Sequence, residues 1–143
     1  MLFDLKPVRT VAPQLTPVTV ADLKAHVRVE HADDDVFMNL FLEAATDRLD
    51  GPAGLLNQAL ITQTWQSFAP SFPASCMMRL PLGPVQNVVV TYLDGNGATQ
   101  TLSSANYHVL TDEIGPIIQL ADSAAWPATK THPKAVTLTA EVG

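Results

Sequence analysis

Asp33, Asp34 and Asp35 form the densest group of potential ligating side chains in the chain. Hard cations bind several carboxylate oxygens at once. Three successive residues at a helix start cannot all face one ion, however, and the glycine and distal glutamate of a calcium loop are missing. Placed just ahead of an apolar repeat, they read as a helix N-terminus, with one carboxylate capping and the others favoured by the positive dipole end. His26, His31, His108 and His132 are scattered, with none at the i, i+4 spacing of a zinc helix. Cys76, the single cysteine, cannot complete a closed thiolate site. Followed by Met77 and Met78 and with no nucleophile signature around it, Cys76 reads as a small buried apolar residue. An enzyme would need it, or a carboxylate, paired with a histidine in a cleft.

Serines 67, 71, 75, 103, 104 and 123 sit in no Gly-x-Ser-x-Gly elbow, and neither a phosphate loop nor a dinucleotide glycine fingerprint occurs. Glu43, Asp47 and Asp50, with Arg48 beside them, fall toward one side of a helix and could hold an acid/base pair, but the same pattern describes a solvated face. The residues thus imply no catalytic group, no metal site and no cofactor. Trp65, Tyr92, Tyr107 and Trp126 could form a stacking platform, although in short strands such residues more often anchor a small core. Trp126, in the loop-like Ala124-Ala-Trp-Pro127, either plugs the sheet or contacts a neighbour.

The elements that would position these groups follow from periodicity. Residues 1–18, with Pro7, Pro13 and Pro17, read as an extended arm, either disordered or laid on a neighbour. Thr19 and Asp22 have capping-box spacing, predicting a helix over 20–28. Val36, Phe37, Leu40, Phe41, Ala44, Ala45 and Leu49 recur at three and four residues, predicting an amphipathic helix over 35–50 that Gly51-Pro52 stops. From residue 60 onward β-branched and aromatic residues predict strands near 61–68, 76–80, 85–93, 98–102, 106–110, 115–120 and 135–142. Asp94-Gly95-Asn96-Gly97, between Val88–Leu93 and Thr99–Leu102, is the strongest local signal, a hairpin turn whose glycines allow positive φ. The expected fold is α+β, with short N-terminal helices packed with a small antiparallel sheet or barrel. The arm (1–18), a helical part (19–59) and a β lobe (60–143) would form one folding unit.

Bulk properties exclude several functions. A net charge of −6 without a Lys/Arg run disfavours nucleic-acid binding. One cysteine excludes an internal disulfide and fits a reducing compartment. Residues 1–17 lack an apolar signal core, and no apolar run reaches the roughly 18 residues that span a bilayer. A hydrophobic fraction of 47% with only 15% charged residues suggests that apolar surface meets a partner.

In order, Val18–Val29, Asp33–Asp35, Leu60–Trp65, Leu80–Val85, Thr91–Gly97, Tyr107–Val109, Trp126-Pro127 and Ala135–Thr139 resemble segments of the head-to-tail connector (adaptor) proteins of long-tailed bacteriophages and of phage-derived gene transfer agents. The Asp50–Leu56 link is longer than in many relatives and is similar to the gene-transfer-agent branch. Relatives continue with further helices beyond the position of Gly143, so those helices are expected to be absent from this chain.

This resemblance implies a structural role. About twelve copies would form a ring between the portal protein and a downstream neck or tail protein, assembled in the bacterial host cytoplasm and residing in the particle neck. The free chain could be monomeric. DNA would pass through without specific binding, and no membrane is involved. Trp126, Pro127 and the Asp94, Gly95, Asn96, Gly97 turn are the candidate subunit or partner contacts. The alternative is a small β-rich ligand-binding module for a carbohydrate or a peptide, using Trp65, Tyr92 or Trp126 as its platform.

Overall fold

Strand Val136–Val142, β8, organises the protein because its alternation places Val136, Leu138, Ala140 and Val142 on one buried face. In the computed structural model, which describes residues 7–143, β8 lies between β2 (Gln63–Ala69) and β4 (Val85–Leu93). With β1 (Val8–Val11) and β5 (Thr99–Thr101) they form an antiparallel five-stranded sheet of order β1-β2-β8-β4-β5. A second antiparallel sheet has the order β3-β7-β6, from Met77–Arg79, Pro116–Leu120 and Tyr107–Thr111. Neither sheet closes, so of the two expected forms the lobe is the open one and not a barrel.

The two sheets share one core. Ser67, Leu138 and Val90 stand in register across β2, β8 and β4, and Met78 and Ile118 pair across the second sheet. Val90, Ile118, Val136, Leu138 and Val142 are all but inaccessible to water, each such side chain contributing about 1.5–3 kcal/mol. Tyr107 completes the join, its buried hydroxyl donating to the carbonyl of Val88 at 3.1 Å. That burial raises the phenol's pKa above its usual value.

Helix α1 spans Val20–Val27 and opens on the expected capping box. Asp22 N–H donates to Thr19 Oγ1 and Thr19 N–H to Asp22 Oδ2, both at 3.1 Å. The Thr19 hydroxyl, which also donates to Asp22 Oδ2, and then the Thr19 N–H hold the Asp22 carboxyl below the usual range. Helix α2, Asp35–Leu49, departs from expectation at its start. Asp34 occupies the cap position but its side chain bonds no backbone N–H. Asp35 instead accepts from Lys24 Nζ at 2.7 Å, tying α2 to α1. Of the triplet, Asp35 thus serves helix pairing, and Asp34 holds the cap position without a side-chain cap bond.

The arm holds an element that its composition did not suggest. Val8–Val11 pairs with the outer edge of β2, all four residues remaining exposed. Residues 1–6 of the predicted arm lie outside the described residues.

Candidate assembly surface

The hairpin at the end of β4 is built by Asp94. Its carboxylate accepts from the N–H groups of Asn96 and Ala98 and from Gln100 Nε2 at 2.9–3.0 Å. These bonds, the Gln100 amide first, hold its carboxyl below the usual range. Gly97 takes the positive φ the turn requires, at +84°, whereas Gly95 does not use that freedom. The acidic group is therefore occupied within the turn, leaving Gly95 and Asn96 as its exposed tip.

Trp126 plugs the sheet. Its ring stacks on Phe72 at 4.9 Å and 6°, Phe72 meets Tyr92 edge-on at 5.8 Å, and Trp126 Nε1 donates to the Ser75 carbonyl at 2.8 Å. Pro127 follows, half-buried. Tyr92 precedes the turn on β4, and Lys130 N–H donates to the Leu93 carbonyl at 3.0 Å. The two predicted contact segments thus meet at one end of β4. Trp65 is likewise engaged, its Nε1 donating to Gln63 Oε1 at 3.1 Å and the Arg9 guanidinium lying 5.8 Å from its ring centre. The aromatics considered for a ligand platform are spent on packing and internal hydrogen bonds.

Cys76 is exposed, not buried in a strand as expected. It falls in the turn before β3, where its carbonyl accepts from Leu120 N–H and its side chain is left outside the core. All four histidines are exposed. Of the helix acids, Glu43 and Asp47 are solvated but Asp50 is not. Asp50 closes α2 and accepts from Leu60 N–H at 2.8 Å and from Gln63 Nε2 at 2.9 and 3.1 Å. Gln63 is 1% exposed, so Asp50, Gln63 and Trp65 form a polar chain that joins the helical part to β2. Gly51, at φ +82° and 3.6 Å from the Trp65 ring to a built Cβ, lets the chain turn beside that ring.

Helix α2 carries a run of exposed apolar side chains. Asp35, Met38, Leu42 and Thr46 are half-buried at helical spacing and mark the inward side. Val36, Phe37, Leu40 and Phe41 lie on the other side and are 71, 61, 53 and 70% exposed. Neither helix contains a buried residue. The periodicity predicted an amphipathic helix, and the structure shows which of its apolar residues stay in water. Four large adjacent apolar side chains are thereby left in water. Neither described helix is long and apolar enough to cross a membrane.

No family model and no curated protein matches the sequence. Solved structures do match. In fold, this chain is similar to a chain of the gene transfer agent neck. A chain from the neck of an empty gene transfer agent (GTA) particle, computed with C6 symmetry, has a TM-score of 0.75 at 21% identity, covering 97% of this chain and 71% of that one. One from the virion of a native GTA particle gives 0.74 at 21% identity, with 97% and 72% covered. A third, from the neck of a native GTA particle computed with C12 symmetry, gives 0.66 at 18% identity, with 97% and 70% covered. Only 3% of this chain is left uncovered, fewer residues than either helix contains, so the likeness to GTA neck chains takes in the helices as well as both sheets.

Proposed function

We propose that the protein is a structural component of a phage-like particle neck, an adaptor that joins the portal of a DNA-filled head to the tail as a ring of subunits. The observation that carries this reading is the fold shared over 97% of the chain with chains of GTA particle necks. The exposed stripe Val36, Phe37, Leu40 and Phe41 supports it, because an assembly covers such a surface and a free monomer leaves it in water. The ring contains about twelve copies, in keeping with the C12 symmetry of one neck structure. Its flanking partners are the portal protein on one side and a downstream neck or tail protein on the other.

The role is not enzymatic. Asp94, Asp50 and the aromatics are committed to turn, anchor and core. The ligand-module alternative loses its platform for the same reason. A net charge of −6 suits a conduit along which DNA slides without being held. The tip Gly95-Asn96 and Pro127, gathered with Trp126 at one end of β4, are the proposed partner contacts of the sheet lobe. Assembly takes place in the bacterial host cytoplasm.

Co-sedimentation of the chain with the portal ring encoded beside it tests the proposal. A stoichiometric ring-on-ring complex is the expected result. Failure to bind the portal, together with the absence of any ring-sized species, overturns it.

A further inference from the structure

Strand β1 is held to the rest of the protein by little more than its ladder with β2. Val8 and Val11 are 52 and 51% exposed, and the register slips between Arg9 and Val11. Thr10 Oγ1 donates to the Thr64 carbonyl at 3.2 Å. The space beneath the arm is poorly filled on both sides. A cavity of about 760 Å³ opens between Val8, Arg9 and the Asp47, Gly51, Pro52 and Trp65 side of the helical part. Another of about 350 Å³ separates Pro13 and Leu15 from Glu43, Asp47 and Ile61. A segment with few buried apolar contacts and open space behind it opens at low free-energy cost.

The edge that β1 covers cannot be left bare. β2 pairs with β8 along its inner side through all seven residues, and a bare outer edge of that length is a template for any free strand. The strand that fits there is this chain's own arm, which makes the register Val8 to Gln66, Arg9 to Trp65 and Val11 to Thr64. The same arm from a second copy makes the same bonds. Between β1 and the Thr19 cap lie residues 12–18, which form no helix or strand and bend at Gln14-Leu15 and Pro17-Val18. Straightened, seven residues reach at most about 25 Å, which is the slack an exchanged β1 would draw on.

We propose that β1 is an exchangeable strand that, in the assembled ring, pairs with the β2 edge of the next copy. This inference rests on the ring reading given above. An exchange that passes from each copy to the next in one direction closes when the ring closes, so every β2 edge receives a strand.

Single-cysteine copies test it, with Cys76→Ser in all of them. Val8→Cys copies and differently tagged Gln66→Cys copies are mixed, assembled into the ring and oxidised. Facing positions of an antiparallel pair lie at disulfide distance, so exchange gives a disulfide-linked heterodimer, joined through positions 8 and 66, that carries both tags. The Val8→Cys, Gln66→Cys double variant should give a ladder at multiples of the chain mass. Ring formation is scored by mass without oxidation. A ring in which the mixture yields no heterodimer, while the double variant links only within itself, overturns the exchange and leaves the ring reading standing. Absence of any ring-sized species removes the ring reading and the exchange together.

Discussion

Replacing Phe37 and Phe41 together with glutamine separates the two roles an apolar helix face can have. Burying a phenylalanine side chain completely is worth about 1.5–3 kcal/mol. With 61 and 70% of these two residues still exposed in the chain, about two-thirds of that gain is realised only when something covers them. Covering both would then contribute about 2–4 kcal/mol per subunit, an affinity change of roughly 30- to 700-fold. The free chain should hardly notice the change, since exposed substitutions usually fall within about 0.5 kcal/mol each and glutamine is at least as good a helix former as phenylalanine. Phenylalanines in a core would instead cost about 3–5 kcal/mol each on truncation. Urea unfolding of the free variant and a sedimentation titration of ring formation measure the two quantities. A loss of about 3 kcal/mol or more in the free chain would mean that α2 turns this face inward. Unchanged assembly would refute its role as an interface.

Asp50→Ala should destabilise the chain by about 1–3 kcal/mol in urea unfolding, because it leaves the Leu60 N–H and the buried Gln63 amide without their acceptor. Arg79 donates to both Asp112 oxygens at 2.7 and 2.9 Å, and this hydrogen-bonded partner holds the Asp112 carboxyl far below the usual range. A depressed carboxylate contributes stability that is present above its unfolded pKa of about 4 and is lost as pH falls toward the folded value. Asp112→Asn should therefore flatten the fall in melting temperature below about pH 4, and an unchanged acid slope would contradict the assignment. Ser67 Oγ is buried opposite Leu138 with no hydrogen-bond partner among the described residues. Ser67→Ala should raise stability by up to about 2 kcal/mol, and a loss in urea unfolding would show that the hydroxyl is satisfied.

Local structure was legible where a residue's own neighbours decide it. The Thr19–Asp22 box, the C-terminal end of α2 and the hairpin at Asp94–Gly97 depend on contacts within a few residues. β4 and β8 fall over the expected residues for the same reason, since period-two alternation records a half-buried strand. Partner choice was not legible. Asp35 chose Lys24 eleven positions away over its own helix start, and Cys76 lies in a turn outside the core although burial in a strand was expected. Nor did composition disclose that Val8–Val11 would cover the edge of β2, because a strand of four exposed residues is specified by the edge it meets and not by its own side chains.

Backbone preferences and short-range spacing were enough to establish the class of the fold, the succession of elements after the arm, the hairpin turn and the lack of any catalytic sequence motif. Which apolar periodicity makes a core and which makes a surface emerged from packing alone. β8 and α2 are both apolar and both regular, yet β8 is enclosed by strands on either side and by the second sheet, while nothing among the described residues covers Val36, Phe37, Leu40 and Phe41. Periodicity states that one face of an element is apolar. What lies against that face depends on residues far away in the chain.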